Sequence, residues 1–238
     1  MKPIHLLVLA GGFGTRLRAA VSEVPKPLAP VMNRPYLEYL IDSWLAQGVT
    51  SLTFLLHHQA GMIEEFLAAL QKEGRAPGCK LQTLIEPQAL GTGGAVAYAV
   101  QQFKMNGSFL VTNADTWLGT GIAAVAGAES PAMAVVHVEN TERYGHVRIL
   151  TNKIADFEEK QDSSGPGWIN AGLYHLHAEL FRHWDGLPFS LERELFPELV
   201  KAEQLTAVSL ETDFIDIGIP EDYFRFCRWI ESQKLGAL

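Results

Sequence analysis

Ile4-His5-Leu6-Leu7-Val8-Leu9-Ala10-Gly11-Gly12-Phe13-Gly14-Thr15-Arg16-Leu17 is the stretch on which the fold reading turns. A short apolar run from Ile4 to Ala10 ends abruptly in glycine. Its length and flanks favour a buried parallel strand over a helix. Three glycines in the four positions 11–14 let the backbone approach a ligand closely and turn its N–H groups inward. Thr15 adds a hydroxyl, and Arg16 adds a fixed charge with a forked donor set. Together they suit a triphosphate. The stretch does not complete G-x-G-x-x-G, and it lacks the GK[ST] of a P-loop. Taken alone, it is also compatible with a purely structural turn.

Outward from that turn, the chain alternates between strands and helices. Pro35 is expected to open a helix, where its missing N–H costs nothing. Leu37, Leu40, Ile41, Trp44 and Leu45 share one face of it, and Gly48 caps its end. Ser51–Leu56 reads as a strand, and Ile63, Phe66, Leu67 and Leu70 mark the next amphipathic helix. Leu81–Ile85 is a strand, a helix follows from about Ala95 to Phe103, and Phe109–Thr112 is a strand ending in Asn113-Ala114-Asp115. This βαβ rhythm implies an α/β fold whose mixed, mainly parallel sheet carries helices on both faces. Ligands of such sheets bind beyond the carboxyl ends of the strands. The glycine-rich or polar stretches after Ala10, Ile85 and Thr112 all fall there.

After about residue 130 the rhythm changes. Ala132–Val138, Gly145–Leu150, Lys153–Phe157 and Ile169–Leu176 read as strands with short connections, and Asn152 suits a hairpin turn. Helices resume over Leu191–Ala202 and Glu221–Gln233. Ser190 is placed to cap the former, and Glu192 and Glu194 suit the positive end of its dipole. No linker or internal repeat interrupts the chain. A single domain over 1–238 is expected, with a nucleotide-binding half over about 1–130 and a second half over about 131–238.

The net charge of −8 at pH 7 argues against a nucleic acid or an anionic membrane as partner. It leaves room for a small polyphosphate if the few cations converge. Cys79 and Cys227 form no CxxC and suggest no disulfide framework. The apolar run near the N-terminus is too short for a signal peptide, and no stretch approaches the roughly 18 apolar residues of a membrane span. A cytoplasmic location is the expectation. His57-His58 and His175-x-His177 match no zinc-ligand pattern and read as structural or solvated, while Trp168 and Tyr174 read as packing residues or as contacts for a sugar ring.

A second stretch, Val24-Pro25-Lys26-Pro27-Leu28-Ala29-Pro30-Val31, clamps Lys26 between two prolines in a segment expected to be extended. A lysine held so is preorganised for a phosphate. Gly-Gly-x-Gly-Thr-Arg-Leu followed by Pro-Lys-Pro-Leu-x-Pro-Val resembles the signature of the sugar-1-phosphate nucleotidyltransferases, the NDP-sugar pyrophosphorylases. Further pieces stand in the order of that family. They are Leu90-Gly91-Thr92-Gly93-Gly94-Ala95, Asn113-Ala114-Asp115, Tyr144-Gly145, Phe157-Glu158-Glu159-Lys160, Asn170-Ala171-Gly172-x-Tyr174 and Asp216-Ile217-Gly218-x-Pro220. The resemblance covers nearly the whole chain. It implies the Rossmann-like nucleotide-diphospho-sugar transferase fold without the β-helix of longer members.

The resemblance also implies roles. Ala10, Gly11 and Gly12 would lie against the base and ribose, with Gly14, Thr15 and Arg16 on the triphosphate and Lys26 by the α-phosphate. Glu86, Gly91 and Thr92 would complete the nucleotide side. Asp115 and Asp216 would bind the metal. Gly145, Glu159, Asn170 and Gly172 would line the sugar, and Lys160 would hold its phosphate. The chemistry agrees. The nucleophile is a phosphate oxygen with a second pKa of about 6, largely ionised at neutral pH, so no general base is required. The obstacle is repulsion between two anions, which Arg16, Lys26, Lys160 and a divalent cation would offset. Mg²⁺ suits hard oxygen ligands and needs few from the protein.

Glu86, as a carboxylate, only accepts hydrogen bonds, and guanine offers adjacent N1–H and N2–H donors. Gln88 keeps uracil or thymine in play. Glu86-Pro87-x-x-Leu90-Gly91-Thr92-Gly93-Gly94 looks most like guanylyltransferases of mannose-type 1-phosphates, and the short form most like those acting on D-glycero-D-manno-heptose 1-phosphate. The expected partners are GTP and that sugar phosphate. Mannose 1-phosphate, muramate-type sugars, uridylyl or thymidylyl transfer, and a non-catalytic nucleotide-sugar sensor are the alternatives. The amphipathic helices would bury their faces within one chain or across a homodimer.

Overall fold

The computed structural model describes residues 4–158 and 165–235. Its first half runs β1 (Ile4–Leu9), β2 (Pro30–Val31), β3 (Arg34–Pro35), α1 (Tyr36–Ala46), β4 (Val49–Leu56), α2 (Ala60–Lys72), β5 (Lys80–Ile85), α3 (Gly91–Gln102), β6 (Ser108–Asn113), β7 (Thr116–Leu118) and α4 (Ile122–Gly127). The second half adds β8 (Ala132–Val138), β9 (His146–Leu150), β10 (Lys153–Glu158), β11 (Gly167–His177), α5 (Phe196–Lys201), β12 (Thr206–Leu210), β13 (Phe214–Asp216) and α6 (Pro220–Leu235).

One nine-stranded sheet, in the order β5-β4-β1-β6-β11-β8-β12-β10-β9, passes through both halves. β5, β4, β1 and β6 are mutually parallel. β11 enters beside β6 antiparallel and is antiparallel to β8 as well, whereas β12 runs parallel to β8. The period-2 alternation of β1 sets the two layers. Leu6 and Val8 face a core built with α1, α2, α4 and α6, among them Leu37, Ile41, Ile63, Val125 and Phe226. Leu7, fully buried between them, faces the opposite core with Val96, Val100, Leu191 and Phe196. Each such residue is worth about 1.5–3 kcal/mol of burial. The expected α/β sheet with helices on both faces is therefore present.

Several boundaries differ from expectation for local reasons. Pro35 pairs with Pro30 in a short antiparallel ribbon, so α1 starts one residue later, at Tyr36. Gly48 follows α1 at φ +87°, as a capping glycine should. α3 begins at Gly91 rather than near Ala95, because the glycine-rich turn is itself the first turn of the helix. The stretch expected as one helix over Leu191–Ala202 is a π-helical turn, Leu191–Leu195, followed by α5. Ser190 does cap it, its Oγ accepting from Arg193 N at 3.2 Å. The β9–β10 hairpin does turn at Thr151-Asn152, with Thr151 in the left-handed region at φ +59°. β7, α4, β12 and β13 carry too few residues or too weak a pattern to be read from the sequence.

Two histidines tie this scaffold to pH. His5 shares a hydrogen bond with Thr53 Oγ1 at 2.9 Å, and burial, aided by Lys80, lowers its pKa. The His175 Nδ1–H meets Ala128 O at 2.9 Å, and burial lowers its pKa too, against the pull of that carbonyl. Both are held neutral, so their contribution is present above the ordinary histidine value and is lost as pH falls through the lowered folded values. Thermal melts from pH 7.5 to 5 should show a falling Tm, about 2–4 °C for each kcal/mol of disfavoured protonation. The double variant His5→Gln, His175→Gln should flatten that slope.

Candidate active site

Two of the cavities at the carboxyl ends of the parallel strands share a wall. The first, of about 350 Å³, is lined by Ala10, Gly11, Gly12, Gly14, Lys26, Glu86, Gly91 and Thr92. The second, of about 240 Å³, is lined by Arg16, Gly145, Asn170, Gly172 and Asp216. Asp115 lines both. Thr15 is exposed and lines neither of them. Arg16 faces the second cavity, not the first, where a triphosphate role would have put it. Glu159 and Lys160 lie outside the described residues.

The glycines answer to specific neighbours. A Cβ on Gly11 would sit 3.0 Å from Glu86 Oε1 and 3.1 Å from His57 N. Gly14 has φ +60°, a left-handed conformation that L residues resist. Glu86 is buried, and its Oε2 accepts from Leu90 N at 2.9 Å while Oε1 stands beside Gly11. Burial raises its pKa, and the Leu90 N–H and His57 offset part of that rise. The Leu90–Gly94 glycines serve packing as well: a Cβ on Gly91 would meet Phe189 O at 2.6 Å, and one on Gly93 would meet the Phe189 ring at 2.2 Å.

The charges converge as the chemistry demands. Lys26, expected in an extended segment, instead opens a 3₁₀ turn, Lys26–Leu28, closed by Leu28 N to Pro25 O at 2.8 Å. From there its ammonium pairs with Asp115 Oδ2. Burial alone would raise the Asp115 carboxyl, but Lys26, with help from Thr116 and Arg16, holds it below the ordinary carboxylate value. Asp216 reaches the same place through the β7–β13 ribbon, where it lies opposite Thr116 and where Ile217 N donates to Asp115 O at 2.9 Å. Burial raises the Asp216 pKa and the Asp115 charge raises it further. The Asp216 Oδ1 accepts from Gly218 N at 2.7 Å. The Arg16 guanidinium lies against Gly218, 3.3 Å from where a Cβ would stand.

No group of three His, Cys, Asp or Glu able to hold a metal occurs among the described residues. Two hard carboxylates facing a phosphate-sized space fit Mg²⁺, which completes its shell with water and substrate oxygens. They do not fit a closed zinc site, which wants four protein ligands.

Sequence reasoning missed three features of the site. Glu192, expected only to complement a helix dipole, lines both cavities. Asn113 also lines both. Arg143 reaches the second cavity, donates to Tyr144 Oη at 2.8 Å and pairs with the buried Asp222 at the start of α6. Only its place beside Tyr144-Gly145 could have drawn attention to it. Of the histidines, His57 lines the first cavity, while His175 and His177 make structural bonds within the chain. Both cysteines are free.

A family model described as Nucleotidyl transferase matches residues 5–233. The D-glycero-alpha-D-manno-heptose 1-phosphate guanylyltransferase of Campylobacter jejuni subsp. jejuni is 31% identical over 226 residues, covering 94% of this chain and 98% of that protein. The mannose-1-phosphate guanyltransferase of Saccharomyces cerevisiae is 33% identical over 227 residues, covering 91% of this chain but only 62% of that longer protein. Among solved structures, HddC from Yersinia pseudotuberculosis complexed with GMP-PN superposes with a TM-score of 0.81 at 28% identity, covering 95% of this chain and 99% of that one.

Proposed function

The chain belongs to the nucleotidyl transferase family, and from that premise we propose that it is a guanylyltransferase joining GTP to D-glycero-D-manno-heptose 1-phosphate. An oxygen of the sugar phosphate attacks the α-phosphorus of GTP. The bond from that phosphorus to the β-phosphate bridge oxygen breaks, and GDP-heptose and pyrophosphate result.

The observation that carries this reading is the shared wall of the two cavities. Asp115 belongs to both, with Lys26 on one side and Arg16 and Asp216 on the other. Two anions entering from opposite sides would meet their neutralising charges there. Asp115 and Asp216 would hold Mg²⁺, which supplies charge neutralisation for the phosphates when bound. Lys26 would hold the α-phosphate. Ala10, Gly11 and Gly12 would seat the nucleoside, and Gly145, Asn170 and Gly172 would line the sugar. The absence from the described helices of any long and apolar enough to cross a membrane is compatible with work in the cytoplasm. A nucleotide-activated heptose made there would serve surface-polysaccharide assembly.

Glu86 supports guanine, since its Oε1 faces the cavity wall at Gly11. The heptose follows the Campylobacter jejuni relative, 31% identical over 226 residues, and mannose 1-phosphate is the second candidate, from relatives such as the Saccharomyces cerevisiae enzyme at 33% identity. A screen of the common triphosphates against sugar 1-phosphates with Mg²⁺, read by pyrophosphate, tests the proposal. Release only with UTP or dTTP would replace it by uridylyl or thymidylyl transfer.

Glu86 also makes a thermal prediction. A carboxylate whose folded pKa is raised contributes stability below its ordinary value and loses it as pH rises through the folded value. At neutral pH the charge is therefore held at a cost. Glu86→Gln keeps an oxygen for Leu90 N–H, so the ligand-free variant should melt a few degrees higher than wild type. Its stabilisation by GTP, about 2.7 kcal/mol for wild type at a hundredfold excess over Kd, should fall by about 1 kcal/mol or more at the same concentration. Unchanged GTP protection would remove Glu86 from base recognition.

A further inference from the structure

Thr92 and Asn170, expected to face substrate, line the first and second cavities respectively and also bond within the chain. The Thr92 hydroxyl donates to Glu192 Oε2 at 2.6 Å and accepts from Leu191 N at 2.9 Å. The Asn170 amide is oriented by Nδ2 donating to Tyr174 Oη at 2.9 Å and Oδ1 accepting from Gly172 N at 2.9 Å. Glu192 differs from both. Its two hydrogen bonds, from Thr92 and from Ser190 Oγ at 2.8 Å, fall on the same oxygen, Oε2. Oε1 takes no hydrogen bond from the described residues.

The side chain stands where the two cavities join. On the sugar side it is near enough to the buried Tyr174 for its charge to add to the rise that burial gives the phenol pKa. A carboxylate repels phosphates and can only accept hydrogen bonds, so the group it suits is a hydroxyl. A hydrogen bond to a charged acceptor is roughly twice as strong as a neutral one. The glycines of the Leu90–Gly94 loop allow the Phe189 segment to lie against α3, and that docking brings Ser190 and Glu192 into place.

We propose that Glu192 is a specificity-determining residue whose free carboxylate oxygen accepts a hydrogen bond from a ring hydroxyl of the incoming sugar 1-phosphate. This rests on the guanylyltransferase reading. Thr92 and Ser190 act as positioning residues that fix the carboxylate, and Glu192 selects a hydroxylated sugar over a reduced one.

Glu192→Gln provides the test. The amide oxygen can still accept from Thr92 and Ser190, while an NH₂ donor replaces the free acceptor. The expected result is a Tm close to that of wild type, a KM for heptose 1-phosphate raised about tenfold or more, and a KM for GTP within about twofold. Monodeoxy forms of mannose 1-phosphate should include one that wild type uses markedly less well than the parent and that the variant does not distinguish from it. A raised KM for GTP with sugar KM unchanged would overturn the proposal in favour of the ribose. Unaltered constants for both substrates, or a wild type indifferent to every deoxygenation, would overturn it outright. Calorimetric binding of mannose 1-phosphate to both proteins is the independent readout. If wild type turns over no substrate pair, the guanylyltransferase reading fails. A Glu192-dependent affinity for the sugar phosphate would then still sustain the role of Glu192, and equal affinities would end it.

Discussion

Lys26→Ala should lower kcat by about 10²–10³-fold while GTP binding changes by less than about tenfold. The reason is differential. In the ground state the triphosphate would also be held by backbone N–H groups of the glycine-rich turn, whereas the charge that builds as two phosphates are pressed together needs a nearby cation. The structure adds a second consequence. Lys26 is the main partner of Asp115 and holds that carboxyl below its ordinary value against the effect of burial. A carboxyl with a depressed folded pKa contributes stability above the ordinary value and loses it as pH falls through the folded one. Without the ammonium, burial dominates and the Asp115 pKa moves up, so the variant's deficit is greatest at neutral pH and should shrink on acidification, where wild type loses the contribution of its depressed carboxyl. Breaking such a pair costs about 3–5 kcal/mol when fully buried, and less here because Asp115 keeps 32% of its side chain exposed. Single-turnover kinetics, GTP titration and melts across pH separate these effects. Undiminished turnover would remove Lys26 from the chemistry, and no turnover by wild type would point to a protein that binds nucleotide sugars without making them.

The second large effect concerns folding. Gly91→Ala should lower the Tm by on the order of 10 °C. Gly91 has φ +73°, a conformation that costs an L residue about 1–2 kcal/mol. Its Cβ would also lie 2.6 Å from Phe189 O, a main-chain atom that cannot rotate away. That carbonyl accepts from Gly93 N at 3.0 Å and Gly94 N at 3.2 Å, so displacing it undoes the start of α3. The overpacking adds about 1–3 kcal/mol, a large part of a stability of about 5–15 kcal/mol. Gly93→Ala makes the contrast, because its Cβ would meet the Phe189 ring instead. Phe189→Ala should rescue Gly93→Ala and leave Gly91→Ala unrescued. Equal rescue of both would mean that the carbonyl contact is not the cause.

Much of this arrangement was legible beforehand. The run Ile4–Ala10 is a buried strand because nearly every residue in it is apolar and glycine stops it. The convergence of Arg16, Lys26 and Asp115 follows once strands of like direction bring their carboxyl ends to one edge, whereas Asp216 arrives through the separate antiparallel β7–β13 ribbon. Where local reading failed, it lacked a partner. Lys26 looked extended because prolines flank it, but the hydrogen bond that makes it a turn is formed by a carbonyl in the same loop. Glu192 looked like a dipole partner because nothing near it in the chain reveals Thr92, a hundred positions away.

Period-2 and period-3.6 apolar spacing, glycine turns and the supply of charged side chains lie within windows of a few residues, and they determined the α/β layering, the strand ends and the identity of the cations and carboxylates. The tertiary structure alone decided that β11 would enter the sheet between β6 and β8. It alone decided that Arg16 would face the second cavity, that Asn170 and Thr92 would be oriented by bonds within the chain, and that one Glu192 oxygen would take no hydrogen bond from the described residues. Hydrogen-bond capacity is a local property of a side chain, but which part of it remains for a ligand depends on neighbours that only folding supplies.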